Sequence, residues 1–597
     1  MNRIYRIFGL GLMVVCAIAV WAAPARRGWV ERLTEDGSTV RVQQMGDEFY
    51  HYWINEQGER MALKGDRMVA TGETVTGYGL QVTGRRAAKA PQGVGTPKPI
   101  PHVLVILVSY SDIAIQPKNT AAALDSLFNV SGYDYNGATG SARDYFTAQS
   151  DSAYMPVFDV VGPVTLPNNR KYYGENSSGN TDGKAGEMIK DACKAVDNIV
   201  NFADYDSDGD GTVDAVYVIY AGIGANDTGG EDDAIWPHMH YVSGGPVLDG
   251  KTIYYYACSG EIDGVSLDRT GIGPICHEFG HAIGMPDYYS TSAGSYIVCE
   301  WSAMDYGMYN NDANTPPNYS IFDKQFMGWK TIRELKADQQ ANISLTTDYA
   351  DGYKMTAGGA TYYIENRQPA GWDIALPGHG MLVWQVKFDQ GVWNGNTVNA
   401  TNSSPRCTVL SAAYGQMTDG DKVWSSKADP FPGSQNVTSW TKYSAFAMTA
   451  ITETDGLIQF KLNGGKTTCT YEIMAEHCDV PEDGVLALGN SLSLTILPET
   501  GYTLDDADCW AVEMGSWNPL LEYGVDYTYD AQTGEFRIES VTDDVVIIVE
   551  AKEAEPTGVE TVTGYGLQVT GRKMILNGQL VIIRGDKQYN AQGIEIQ

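Results

Sequence analysis

The sequence predicts a multidomain chain in which an α/β (α+β) domain is followed by β-sandwich units. Its 597 residues exceed what one hydrophobic core can organise. Between positions 99 and 335, apolar runs such as His102–Tyr110 and Val213–Gly222 alternate with helical stretches, the pattern of a buried sheet flanked by helices. From about 336 to 465 short alternating strands take over, in TYYIENRQPAGWD, HGMLVWQVKFD and GLIQFKLN, separated by Gly, Asn and Pro turns.

At the N-terminus, MNRIYR precedes an apolar run from Ile7 to Ala22 and then Ala-Ala-Pro-Ala. A basic start, an apolar middle and small residues at the end form a signal peptide, expected over 1–22, with a cut after Ala22 or Ala25. Cys16 does not make a lipoprotein anchor, because Val14 and Val15 lack the small side chains that such a site needs. No other stretch is long and apolar enough to span a bilayer, so no transmembrane helix is expected in the mature chain. From Arg26 to about Lys98, alternating residues and Gly-containing turns predict a small β-rich unit. It closes in RRAAKAPQGVGTPKPIP, residues 85–101, which reads as an exposed linker.

Within the α/β region, Ser141-Ala-Arg-Asp-Tyr-Phe opens a helix, VFDVVGPV is a strand, and helices are expected around Ala185 to Phe202. Asp206, Asp208 and Asp210, followed by Gly211 and Asp214, then match the first part of a calcium loop. Alternate carboxylates around a glycine turn converge on a hard cation and repel one another without it. The complete EF-hand ending is absent, since Tyr217 stands where a bidentate Glu belongs.

The richest stretch is PICHEFGHAIGMPDYY, Pro274 to Tyr289. On a helix His277 and His281 project from one face, one turn apart, with Glu278 beside them. Two neutral imidazoles on a rigid helix can hold Zn2+, and a carboxylate that is not a ligand can take a proton from the water that the metal activates. Gly284 lets the chain turn back, which brings Asp287 round as a third ligand. The bland alternative, a surface helix with two histidines, loses ground as HExxH lengthens to HExxHxxGxxD. Glu300 is a rival third ligand by spacing, but it lies in CEWSAMDYG and in no evident ligand-bearing helix.

With Ser302-Ala303-Met304-Asp305-Tyr306 following, this stretch resembles the secreted metalloproteases of the M6, or immune-inhibitor-A-like, family. The match continues through GSARDYFTAQSDSAYMPVFDVVGPV, and YYIENRQ with LPGHGMLVWQV resembles the second domain that follows M6 catalytic domains. The resemblance implies a metzincin-like zinc protease domain over 99–335, preceded by a propeptide over 23–98. It implies zinc ligation by His277, His281 and Asp287, and Glu278 as general base. Met304 would sit in the turn beneath the metal, and Tyr306 would steady the oxyanion. Protein or peptide substrates follow from the same likeness, and so does export to the medium or the cell surface.

A prosegment that silences such a site needs a ligand. No cysteine lies between Cys16 and Cys193, so a thiolate cap is impossible. Gly46-Asp47-Glu48-Phe49-Tyr50-His51 offers oxygen and nitrogen instead, with Asp47 favoured because it follows the glycine; an ordinary Gly-Asp turn is the equal alternative. Release would follow cleavage between Arg85 and Pro101.

Residues 466–555 read as a small β-rich accessory domain, and 556–597 as a tail with a hairpin, resembling the sorting or attachment tails of exported proteins in Gram-negative anaerobes. Thirteen residues, ETVTGYGLQVTGR, occur identically at 73–85 and 560–572; gene rearrangement explains them, and no function does. The eight cysteines beyond Cys16 permit disulfides without fixing a pairing, and Cys276 points away from its neighbour His277. His379 reads as structural. A net charge of -33 excludes nucleic acid and anionic membranes as partners and suits a protein that binds cations. Two other readings stand beside the protease: an adhesion protein with a vestigial protease domain, for which an intact Glu278 has little use, and a zinc amidase.

Overall fold

The structure, a computed structural model, describes residues 21–47, 50–64, 67–74, 96–175, 182–227, 233–292, 295–347, 351–401, 404–414, 427–513 and 521–554, together with strands within 572–596. Residues 1–20 of the expected signal peptide, most of both copies of the thirteen-residue repeat, and residues 85–95 of the expected linker lie outside the described residues. The chain forms two compact units, one of residues 1–339 with 343–460 and one of 340–342 with 461–597.

The first unit is built on a six-stranded sheet. Its spatial order is Trp21–Ala22, His238–Tyr241, Tyr255–Ile262, Val216–Ile223, His102–Ser109 and Val157–Thr165. The last four strands run parallel, whereas His238–Tyr241 is antiparallel to Tyr255–Ile262. His102–Ser109 is buried at seven of its eight positions, as its apolar run requires of a strand covered on both faces. Helix Ala185–Val196 packs against it and against Val157–Thr165, helix Ala121–Asn129 packs on Val157–Thr165, and helix Ala142–Gln149, opened by a capping box between Ser141 and Asp144, packs against Ala121–Asn129. Residues 30–74 form a five-stranded antiparallel meander, the β-rich unit read from alternation.

The β-sandwich expected from about 336 to 465 is not set apart by its packing. Strands Gly352–Ala357, Ala360–Arg367, Gly380–Val386 and Cys407–Leu410 do form a sheet. Its Leu382, Trp384, Val386, Cys407 and Val409 share one continuous apolar core with the α/β sheet, so the expected break near 335 is not a break in the core. Six of the seven positions of Gly380–Val386 are buried, too uniformly for a strand with one face to solvent. His379 is exposed and pairs with Glu453. The second unit has its own core, around Leu494, Ile496, Phe536 and Ile547. In the tail, Arg572–Leu576 and Gln579–Arg584 pair as the expected hairpin and two short strands extend it. The eight cysteines beyond Cys16 form no disulfide with one another. Among the described residues no helix is long and apolar enough to cross a membrane.

Candidate metal centre and cleft

The helix Ile272–Ala282 carries the centre, and every residue from Ile272 to His281 is buried. Phe279 anchors one face against Phe146 and Phe158, with ring centroids 5.2 Å away in both cases. Burying a phenylalanine contributes roughly 2–3 kcal/mol, so this contact holds the helix to the sheet and leaves the other face for polar work. Gly280 faces Met304: a Cβ there would lie 3.0 Å from its sulfur, which is how the Ser302–Tyr306 turn fits beneath the helix. At Gly284 φ is +112°, and a Cβ would sit 2.5 Å from the Thr96 carbonyl, so only glycine makes this exit from the helix.

That exit delivers Asp287. His277 Nε2 and His281 Nε2 lie 3.3 and 3.2 Å from Asp287 Oδ1, and 3.2 Å from each other. Each imidazole uses its other nitrogen on a carbonyl, His277 Nδ1 on Ala303 at 2.8 Å and His281 Nδ1 on Met285 at 2.7 Å. Both Nδ1 atoms therefore carry the proton and donate it, which leaves both Nε2 lone pairs aimed at a carboxylate oxygen. Three acceptors facing one another in a dry site call for a positive charge between them. Spacings of 3.2–3.3 Å are also the edges of a tetrahedron with bonds of about 2.0 Å, the length of zinc–imidazole and zinc–carboxylate bonds. In the metal-free chain a proton takes that place. Burial works against a charged His277, yet the Asp287 and Glu278 carboxylates push it up to about 9, while burial drives His281 down. For Asp287 too burial is opposed, and the two imidazoles pull it down to about 2. Donor set and spacing fit zinc.

Asn396, which the sequence reading missed, grips Asp287 twice: its side-chain N–H donates to Asp287 Oδ2 at 2.5 Å, and its oxygen accepts the Asp287 backbone N–H at 2.8 Å. It lies beyond the strand Gly380–Val386, so the shared core brings this region to the metal ligands. Glu300 instead accepts from Arg27 at 2.9 Å and belongs to no ligand cluster among the described residues.

Glu278 is wholly buried, and burial above all pushes its carboxyl up to about 8, His277 drawing it back and Asp287 raising it further. Its Oε1 accepts the backbone N–H of Ala23 at 2.9 Å. Residues 23–27 thus lie in the cleft, continuing a strand that pairs antiparallel with His238–Tyr241, Ala22 opposite His238. Three side chains donate to successive carbonyls of this segment: Trp236 Nε1 to Ala23, Tyr309 hydroxyl to Pro24 and Tyr296 hydroxyl to Ala25, each at 2.7 Å. His51 stacks on Trp236 at 5.0 Å, and the Gly46 carbonyl accepts the Ala25 N–H.

Gly46 and His51 of the GDEFYH stretch therefore reach the cleft, but not as expected. Asp47 is paired within the meander and contributes no carboxylate to the metal cluster, while the Gly46 carbonyl and the His51 ring brace residues 23–27. Tyr306 is placed against Arg27, whose guanidinium lies 4.0 Å from its ring centroid, and beside Tyr296 and Tyr309. None of its described polar contacts ties it to Glu278 or to the three ligands.

In the acidic loop Asp206, Asp208 and Asp210 come together as read, with the Gly211 N–H donating to Asp206 and the Asp210 N–H to Asp206 and Asp208. Asp214 does not join them. Its buried carboxylate accepts the Ser207 N–H at 3.0 Å and pairs with Lys98 at 2.9 Å, because the strand that begins at Val216 draws it inward. Lys98 also holds Asp208, and Lys251 holds Asp206.

Residues 98–332 match the family described as Immune inhibitor A peptidase M6, catalytic domain. Over 236 residues, 34% of this chain and 25% of the relative, the chain is 30% identical to the Pre-pro-metalloprotease PrtV of Vibrio cholerae. Over 295 residues, 41% of this chain and 43% of the relative, it is 28% identical to Immune inhibitor A of Bacillus thuringiensis subsp. alesti. The chain thus spans less than half the length of either relative.

Proposed function

From the premise that residues 98–332 are an M6-family peptidase catalytic domain, we propose that the chain is an exported, zinc-dependent endopeptidase made as a proenzyme. The observation that carries this is the convergence of His277, His281 and Asp287 beside a buried Glu278, in a cleft that already holds an extended peptide. His277, His281 and Asp287 would hold the metal, and bound zinc would polarise a peptide carbonyl and make water acidic enough to attack. The chain's own residues do the rest. The edge strand His238–Tyr241 aligns a substrate by main-chain pairing, and Trp236, Tyr309 and Tyr296 grip its carbonyls. Glu278, within 2.9 Å of an amide nitrogen, is placed to take a proton from water and return it to a leaving amine. The turn at Met304 under the helix supports a metzincin-like architecture.

Activity on a denatured protein in a zymogram tests the reading. Clearing should vanish with a chelator and return with zinc; clearing that survives metal removal would overturn it.

Latency follows from residues 23–27, which cover the cleft in place of any substrate. Uncleaved Asp47→Ala should stay as silent as uncleaved wild type against a small peptide. An uncleaved Arg26→Ala/Arg27→Ala chain, stripped of the two side chains that pin this segment, should leak at least about tenfold more activity. Silence in the second variant would mean that the meander blocks the cleft without them.

For the acidic loop we infer Ca2+ at Asp206, Asp208 and Asp210. An ion that binds only the folded state stabilises by about 2.7 kcal/mol at a hundredfold excess over Kd, so the Tm of zinc-loaded protein should rise by about 5 °C. An Asp208→Ala/Asp210→Ala variant should lose the rise. No response in wild type would make this an ordinary acidic turn.

A further inference from the structure

The pocket that receives Arg26 is, we propose, a subsite of the substrate cleft, one that selects a basic side chain at the fourth residue beyond the cleaved bond on the leaving-amine side. The inference rests on the peptidase reading above. The Ala23 nitrogen is the atom that Glu278 meets, and a signal cut after Ala22 makes it the first amine of the exported chain; it stands where a leaving amine stands, and Ala23, Pro24, Ala25 and Arg26 take the places of the first to fourth residues after a cleaved bond. At the first three positions the side-chain donors Trp236, Tyr309 and Tyr296 meet main-chain carbonyls, which every peptide offers. Arg26 is the first position at which a side-chain charge is read.

Its guanidinium is only 4% exposed. It pairs with Asp263, approaches Asp312 at 3.1 Å and Asp227 at 3.5 Å, and lies 5.7 Å from the centre of the Tyr309 ring. Three carboxylates therefore surround one cation, and all three belong to the catalytic domain rather than to the prosegment. Two of them are fixed independently of Arg26. Asp263 accepts the N–H groups of Val265 and Ser266, and Asp227 that of Gly264. When the prosegment leaves, Asp263 keeps its place, buried and without the guanidinium that it paired with. Leaving buried charges uncompensated is costly, so a substrate guanidinium or ammonium that restores the pairing is favoured over any neutral residue.

The test uses the full-length chain, loaded with zinc and activated by limited proteolysis in the 85–101 linker, on two peptides that differ only in Arg or Gln at that fourth position, with cleavage mapped by mass spectrometry. Wild type should show a kcat/KM at least about tenfold higher for the Arg peptide. In Asp263→Asn and in the solvent-facing Asp312→Asn the Arg-to-Gln ratio should fall, furthest in Asp263→Asn. The ratio is the readout because a general loss of folding lowers both rates together. Equal cleavage of the two peptides by wild type overturns the subsite and leaves the peptidase reading standing. Cleavage of neither, nor of a denatured protein, overturns the peptidase reading and the subsite with it.

Discussion

Glu278→Gln should abolish peptide hydrolysis while leaving the zinc content unchanged. The substitution keeps the size of the side chain and the contact that its Oε1 makes with the Ala23 N–H, but removes the capacity to accept a proton. A positioned acid–base group contributes about 10²- to 10⁴-fold, and in a buried site with no described substitute the upper part of that range is expected. The loss should fall on kcat, because the edge strand and the carbonyl donors that bind substrate are untouched. Metal analysis alongside steady-state kinetics decides it. A variant that lost zinc as well would mean that Glu278 holds the ligand shell; one that kept more than about a tenth of the activity would mean that another group moves the proton.

The cluster of His277, His281 and Asp287 was legible because its geometry is local. Histidines four residues apart on a helix must share a face, and a glycine exit at Gly284 returns the chain within reach, so three ligands lie inside eleven residues of sequence. The five-stranded meander and the buried strands were legible for the same reason: alternation and apolar runs are short-range patterns. What escaped is long-range. Ala23 meets Glu278 across 255 positions and Asn396 meets Asp287 across 109, and neither contact leaves any periodic trace. Ala-Ala-Pro-Ala-Arg-Arg reads equally well as the residue of a signal cut and as a strand laid in a cleft. Asp214 fits the calcium pattern by spacing, but spacing does not show that its carboxylate turns inward as the chain enters the strand at Val216, while Asp206, Asp208 and Asp210 converge. The change of strand pattern near 335 falls close to the end of the family match at 332, but it marks no change of core, since Trp384 and Cys407 pack into the core that precedes them.

Asp287→Ala should lose zinc and activity together, while Glu300→Ala keeps stoichiometric zinc. The first removes one of three converging acceptors and leaves two imidazoles, too few for a catalytic zinc shell. The second removes a partner of Arg27. Asn396→Ala grades the effect: it leaves the ligands and takes away only the side chain that orients Asp287, so zinc affinity should fall by about 10- to 100-fold. The pH dependence supplies a second, independent reading. Burial alone would lower His277, but Asp287 and Glu278 raise it to about 9 in the metal-free chain. Below that pH zinc must displace a proton from this imidazole, so affinity should climb about tenfold per pH unit and level off near 9. Removing Asp287 takes away the main support of that proton, so whatever weak binding remains should level off at lower pH. Zinc titrations of the metal-free protein between pH 6 and 10, roughly the span over which an imidazole so placed changes charge, follow both effects. If Glu300→Ala lost the metal and Asp287→Ala kept it, the third ligand would be misassigned; a flat pH profile in wild type would show that the centre carries no proton for zinc to replace.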